Sequence, residues 1–316
     1  MANRIIYMGS PQFTIPVLNA LISSPHEIVA VYTHPDRETG RGRKRQGSPI
    51  KERAEESGIE IYQPRSVKSG DVVKEMKGLN PDLIVIAAFG QILPREILDV
   101  PRFGCLNIHP SLLPKYRGPS PVIKTLLEGE IEAGVSIMLL DEGMDTGPIL
   151  AQEKMAVGTE DNAQTLTNKL FERGAKLLTR VIPTYVDGSV IPSEQDHKQA
   201  TYSHKIRKED GEIRWTNTAE KIWRQIRALS PWPGTYTYWQ GQLIKVIEAT
   251  PIASIEKQGE IGQVVTGHRD GVATVGVITA QGILEITAIQ LQGKNKNSIE
   301  AFIRGHKGFV GSILPS

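Results

Sequence analysis

The sequence predicts an α/β domain built on a doubly wound, mostly parallel sheet, followed by a small β-barrel. Three observations carry this. Strand-length apolar runs alternate with helical periodicity through the first half of the chain. The run Asp82-Leu83-Ile84-Val85-Ile86-Ala87-Ala88 is apolar after its first residue, as in a central parallel strand covered on both faces. After about residue 189, short β-rich runs recur between Gly-containing turns. Repeated βα units of this length also imply right-handed crossovers.

Residues 4–8 form the first predicted strand, which ends at Gly9-Ser10-Pro11. Helical spacing follows through Phe13, Val17, Leu18, Leu21 and Ile22 and stops at Ser24-Pro25. Residues 28–32 are the next strand. Ser48-Pro49 supplies an N-cap and a proline at the first helical position, opening a helix that carries Ala54. After strand 82–88 come strand candidates at 105–109 and 135–140, then a helix over 163–186 that stops near Asp187-Gly188. The polar stretch Ser193-Glu194-Gln195-Asp196-His197-Lys198-Gln199 reads as a linker. Residues 221–227 are one amphipathic helix, ended by Ser230-Pro231-Trp232-Pro233-Gly234. Predicted strands at 235–239, 243–249, 262–265, 272–277 and 283–291 build the barrel. The expected organisation is an α/β domain over 1–188, a linker over 189–207 and a barrel over 208–316.

The 316 residues allow two domains, at a prior of roughly 150 residues each. With 39% hydrophobic and 23% charged residues, wholesale disorder, collagen-like and coiled-coil character are excluded. No stretch approaches the roughly 18 apolar residues of a membrane helix. The first nine residues hold too short an apolar run for a signal peptide. The single cysteine, Cys105, rules out internal disulfides and a Cys-rich zinc site. A cytoplasmic globular protein is expected.

The net charge of +2 argues against a chain coated in positive potential. Between His34 and Lys51, however, six basic residues stand against two acidic ones, a local excess of +4. The glycines of Thr39-Gly40-Arg41-Gly42-Arg43 let this loop flex around a partner. Composition leaves two readings open: a solvated loop, or one that grips phosphate.

Open parallel sheets bind ligands at the carboxyl ends of their strands. Three segments therefore stand out: Gly9-Ser10-Pro11, residues 88–94, and Asn107-Ile108-His109-Pro110-Ser111-Leu112-Leu113-Pro114. The first does not match G-x-G-x-x-G and no P-loop is present, so a dinucleotide or nucleoside-triphosphate site is unsupported. Asn107 and His109, two apart at a strand end, share one face. An amide donor beside an imidazole suits a reaction that builds negative charge on oxygen while a proton moves. Either residue alone could equally satisfy buried backbone at a turn. A third element, Asp141-Glu142-Gly143-Met144-Asp145-Thr146-Gly147, follows an apolar strand, and its Asp145 could approach His109 and set its tautomer and charge. Cys105 shares His109's face but lies about 13 Å along the strand, which makes it a buried small hydrophobe rather than a nucleophile.

The 107–114 segment, followed by Tyr116-Arg117-Gly118, resembles the signature of 10-formyltetrahydrofolate-dependent formyltransferases, and residues 141–147 resemble that superfamily's second motif. Both are long, specific and in the superfamily's order and spacing. The resemblance that covers the full chain is to the branch that formylates methionyl-tRNA. It rests on Gly9-Ser10-Pro11-Gln12-Phe13, the basic insertion from Pro35 through Lys44, and the terminal barrel with Pro231-Trp232-Pro233-Gly234. Gly118-Pro119-Ser120-Pro121 stands where many members carry Gly-Ala-Ala-Pro, a departure that leaves the polar groups unchanged.

This resemblance implies a Rossmann-like catalytic domain and an OB-like barrel that binds tRNA. Asn107, His109 and Asp145 become the catalytic group. Phe89, Gly90, Gln91, Ile92, Leu93, Ser111, Leu112, Leu113, Pro114, Leu140 and Asp141 become the folate slot, although individual apolar side chains such as Ile92 could simply close the core. Arg41, Arg43, Lys44 and Arg45 become a clamp on the tRNA acceptor stem. Lys205 and Arg207, with Lys208, add contacts at the linker's end, or form a solvated edge. From Lys208 onward twelve basic residues face ten acidic ones, so tRNA contacts there are few and placed. The expected donor is 10-formyltetrahydrofolate and the expected acceptor initiator methionyl-tRNA, with no metal, no covalent intermediate, no membrane and a monomeric chain. A sugar-nucleotide formyltransferase is the alternative; it has no need of a six-cation loop. Hydrolase and dehydrogenase relatives would require an added domain or more thiols. A non-catalytic tRNA-binding module would have no use for an intact Asn107, His109 and Asp145.

Overall fold

The computed structural model describes residues 2–39, 44–253, 259–269 and 272–316. Two compact units emerge. The first comprises Met1–Pro121, Glu132–Val157 and Leu166–Ser203, the second Val122–Ile131, Gly158–Thr165 and His204–Ser316.

In chain order, the first part of the molecule runs β1 (Arg4–Gly9), α1 (Ile15–Ile22), β2 (Glu27–Tyr32), a short hairpin of β3 (Arg37–Thr39) and β4 (Lys44–Gln46), α2 (Pro49–Glu56), β5 (Ile61–Tyr62), α3 (Gly70–Gly78) and β6 (Leu83–Ala87). It continues with α4 (Arg95–Leu98), β7 (Cys105–His109), α5 (Pro121–Glu128), β8 (Glu132–Leu139), β9 (Ile149–Ala156) and the long α6 (Ala163–Val186). Seven strands form one sheet in the order β5-β2-β1-β6-β7-β8-β9. Pairing is parallel from β5 through β7, and antiparallel where β8 joins β7 and β9 joins β8.

The local signals read from sequence have visible causes here. β6 is buried at every residue, as its unbroken apolar run requires. Ser48 caps α2 by accepting from the Lys51 N–H, with Pro49 in the first turn. The order departs from β1 outward to β2 and returns beside β1 with β6, so the topological switch lies between β1 and β6. β9 was not anticipated. Its residues alternate buried and exposed at the sheet's edge, and Gln152, Glu153 and Lys154 interrupt any apolar run.

The second unit carries α7 (Ala219–Ala228), β10 (Thr235–Trp239), β11 (Gln242–Ile252), β12 (Val264–Arg269), β13 (Val272–Ile278), β14 (Ile283–Leu291), β15 (Asn297–Ser298) and α8 (Ile299–Gly305). Its sheet is antiparallel, ordered β10-β11-β14-β13-β12, with β15 on β14. All five longer strands turn side chains into one core. Trp239, Ile244, Val264, Val277 and Leu284 meet Ile222 and Ile226 of α7 and Phe302 of α8 there. α7 also ties down the other pieces of its unit. Arg224 donates to the Glu128 carbonyl at the end of α5, and Arg227 donates to the Asp161 and Gly158 carbonyls.

Candidate active site

Strand alternation in β7 sets the geometry. Ile108 is buried on the face toward α6, where a Cβ on Gly174 would stand 2.7 Å from the Ile108 Cγ2. Asn107 and His109 therefore turn to the opposite face. β7 ends in the seam between parallel and antiparallel pairing, with β6 on one side and β8 on the other. Asn107 is half-buried, and among the described residues its side-chain amide has no hydrogen-bond partner.

His109 is 4% exposed and held from both sides. Its Nε2 lies 3.1 Å from the Tyr116 carbonyl oxygen. A carbonyl only accepts, so Nε2 carries a hydrogen. Nδ1 faces Asp145 Oδ1 at 3.7 Å, an ion-pair separation rather than a direct hydrogen bond. Neutral His109 is thus the Nε2–H tautomer, with the lone pair of Nδ1 on the side of Asp145. The second carboxylate oxygen of Asp145 accepts from the Gly118 N–H at 2.7 Å. The structure pairs His109 with Asp145 and leaves Asn107 on the same strand face, two residues before His109.

Backbone strain concentrates at the same place. Tyr116 and Asp145 adopt φ of +59° and +54°, a region L-residues seldom occupy. The polar stretch 193–199, read from sequence as a linker, is packed against this loop. Ser193 and Ile149 exchange backbone hydrogen bonds. The Gln195 Nε2 donates to the carbonyls of Asp145 (2.9 Å) and Gly147 (2.6 Å). Six of its seven residues are exposed, as its composition suggests; Gln195 alone is buried, and its amide serves the orphan carbonyls of a tight turn. Gln195 had no local sequence signal as a site support, whereas the buried Arg117 behind it lies in the Tyr116-Arg117-Gly118 motif.

The segment after β7 is braced from β8 and β9. The Ser136 hydroxyl donates to the Ser111 carbonyl and accepts from the Leu113 N–H, and the Gln152 amide donates to the Leu113 carbonyl. The buried Ser111 hydroxyl donates to the Lys115 carbonyl, and Leu113 is buried, so both side chains hold the loop. Leu112 is half-buried against Gly134, where a Cβ would stand 2.4 Å from its Cδ2. Pro114 accepts from the Thr201 N–H through its carbonyl.

At the end of β6, Ala88 and Gly90 take φ of +48° and +77°, and Phe89 is buried with its ring 5.6 Å from that of His34. Gln91 accepts from the Val67 N–H. Leu93 is buried, whereas Ile92 is 71% exposed and closes no core. Leu140 packs half-buried on the same cluster. Asp141 is exposed, and its carboxylate accepts from the Gly143 N–H and the Thr146 hydroxyl, shaping the turn toward Asp145. Ser10 accepts from Thr33 and the His34 N–H, so the first glycine loop braces the exit of β2.

That exit leads into β3 and β4. Asp36 at its base accepts from Lys51 and from Gln63, which hold its carboxyl below the usual range. Arg41 and Arg43 lie outside the described residues. Lys44 pairs with Thr39 across the hairpin, and Arg45 is exposed. Lys205 and Arg207 are exposed in the second unit, where the Arg207 N–H donates to Asp210. Cys105 is 1% exposed, and burial pushes its thiol up to about 12.

A fold that switches at β1/β6 and seats an amide, an imidazole and a carboxylate at its carboxyl edge now has a family. The chain belongs to the formyl transferase family, whose profile matches residues 3–182, and the family's C-terminal domain matches residues 205–307. Its full-length relatives are methionyl-tRNA formyltransferases. It is 43% identical over 303 residues to that of Bacillus licheniformis, covering 96% of this chain and 95% of the relative. It is 39% identical over 311 residues to that of Citrifermentans bemidjiense, covering 98% and 96%. In fold it matches the N-formyltransferase from Helicobacter canadensis, solved in complex with folinic acid and dTDP-3-aminofucose. The TM-score is 0.66 and the identity 20%, covering 94% of this chain and all of that one.

Proposed function

We infer that this chain moves the formyl group of 10-formyltetrahydrofolate to the free α-amino group of initiator methionyl-tRNA, giving N-formylmethionyl-tRNA for translation initiation. The single observation that carries the chemistry is the pairing of His109 Nδ1 with Asp145 at 3.7 Å while Nε2 is committed to the Tyr116 carbonyl. A proton-accepting nitrogen thus faces a carboxylate, and Asn107 on the same strand face carries an amide with no hydrogen-bond partner among the described residues. The acceptor rests on full-length relatives that act on methionyl-tRNA.

The α-amine must be neutral to attack, and a free α-amine has a pKa near 8, so a usable fraction is neutral at cellular pH. Its nitrogen bonds to the formyl carbon, which becomes tetrahedral and carries an oxyanion. The Asn107 N–H donates to that oxygen, and the positive charge of protonated His109 stabilises it through space. The imidazolium's own N–H groups face the Tyr116 carbonyl and Asp145, and Asp145 stabilises it. The bond from carbon to N10 then breaks, and the proton lost by the attacking nitrogen passes to N10 with His109 and Asp145 as its carriers. No covalent enzyme intermediate is needed. Residues 89–93, 111–114 and 140–141 are proposed to hold the folate. Arg41, Arg43, Lys44 and Arg45, with Lys205 and Arg207, are proposed to hold tRNA phosphates. The chain is proposed to act as a monomer and in the cytoplasm. Among the described residues no helix is long and apolar enough to cross a membrane.

The test offers 10-formyltetrahydrofolate with charged initiator tRNA, elongator tRNA or an amino-sugar nucleotide, and asks which gains formyl. Initiator tRNA is expected, and a preference for the sugar would overturn the acceptor. Asn107→Ala and Asp145→Ala should each cut kcat by about 100- to 1,000-fold; near-parental kcat in either would remove that residue from the mechanism.

A further inference from the structure

The site described above leaves one buried polar assembly unexplained. Arg117 is 1% exposed, yet its guanidinium donates to neutral groups. Nε and Nη2 lie 3.1 and 2.7 Å from Gln195 Oε1, and Nη1 lies 3.2 Å from His197 Nδ1. Arginine has no acceptor, so both Oε1 and Nδ1 must accept. The Gln195 amide can then have only one orientation, because the flipped form would press its NH2 against a cation. Both hydrogens of Nε2 are thereby delivered to the carbonyls of Asp145 and Gly147. The Arg117 backbone is fixed in turn, its N–H on the Thr201 carbonyl and its own carbonyl on Ser203. The next residue, Gly118, donates to the Asp145 carboxylate. One rigid segment thus grips Asp145 twice, at its side chain directly and at its left-handed backbone through Gln195.

We propose that Gln195, oriented by buried Arg117, is a positioning residue that holds Asp145 in register with His109. The inference rests on the mechanistic reading of Asp145 given above. Gln195 touches no reacting atom. It fixes a backbone conformation that a free loop would leave, and a displacement near 1 Å costs about 100-fold in rate.

Gln195→Glu separates this role from simple structural support. The carboxylate keeps the shape and pairs better with Arg117, but it presents only acceptors to the two carbonyls. We expect kcat to fall about 10- to 100-fold, with KM for both substrates within about threefold and Tm retained. In an Asp145→Ala background the same change should cost no further kcat. A Gln195→Glu enzyme within about twofold of the parent overturns the proposal, as does an undiminished loss in the Asp145→Ala background. Should Gln195→Glu fail to fold, Gln195→Met is read by the same criteria, and failure of both assigns Gln195 to the fold and overturns the proposal. Near-parental activity of Asp145→Ala alone would instead sink the mechanistic reading, so the two failures are distinguishable.

Discussion

The two ends of β7 are four residues apart in one strand and share a face, yet they behave as different materials. At the entry, Cys105 is sealed among apolar side chains and its thiol is held in the neutral form, up to about 12. At the exit, two loops bring His109 the Tyr116 carbonyl and the Asp145 carboxylate, the latter held by the Gly118 N–H, and Asn107 shares that face. Nothing in the strand itself makes one end reactive. A parallel strand buries its length under helices, and only at its carboxyl end do loops supply polar atoms and access for a ligand. Reactivity here is a property of position along the sheet, and substitutions can break or sharpen that contrast.

The largest effect is expected at the exit. His109→Ala removes the imidazole whose Nδ1 faces Asp145, and kcat should fall at least about 100-fold. KM for the folate should stay within about threefold, since the neighbouring loops keep their own hydrogen bonds. Single-turnover formyl transfer measures this, and a loss confined to KM would mean that the exit binds substrate without acting on it.

The exit of β2 tests whether the carboxyl edge also grips the macromolecular substrate. Neutralising Arg41, Arg43 and Lys44 together should raise KM for tRNA about tenfold and leave the folate KM unchanged. Three lost phosphate contacts should also flatten the log–log salt dependence by about two to three units. Unchanged tRNA kinetics across salt would confine binding to other surfaces.

How much of this was legible beforehand follows the same contrast. Central strands such as β6 could be read because burial on both faces leaves an unbroken apolar run. The β3–β4 hairpin could not, because Arg37-Glu38-Thr39 and Lys44-Arg45-Gln46 are polar throughout and look like loop. Asn107, His109 and Asp145 were readable from strand end, spacing and resemblance. Gln195 was not, since it meets Asp145 across a separation of 50 residues and only the folded chain relates them. Short-range rules see periodicity and caps, and they are blind to a side chain that closes a distant turn.

The face of β7 opposite the site should answer in stability before activity. A helical Gly→Ala change ordinarily gains up to about 1 kcal/mol. At Gly174 the new Cβ would stand 2.7 Å from Ile108 Cγ2 and 3.1 Å from Val135 Cγ2, both on packed strands. Overpacking of that kind costs about 1–3 kcal/mol, so Gly174→Ala should be destabilising by about 1 kcal/mol net. Ile108→Ala removes the clashing Cγ2, so the Gly174→Ala step should cost less in that background, which urea unfolding of the four-membered cycle can check.

The smallest effect belongs to the entry. Cys105→Ala should leave kcat within about twofold and lower stability by about 1 kcal/mol at neutral pH for a small packing loss. Its signature is in the pH dependence. The unfolded thiol gives up its proton near its ordinary value of 9.0, whereas the folded one keeps it to about 12. Between those values the unfolded state binds fewer protons, so the parent loses stability as pH rises. Buried Tyr7 and Tyr32, whose hydroxyls are also pushed up by burial, share that slope, and Cys105→Ala should reduce it without abolishing it. Urea unfolding at pH 8 and 10.5 compares the slopes directly. An identical slope in the variant would mean that the thiol reaches solvent before the fold opens, and the contrast between the two ends of β7 would lose its chemical half.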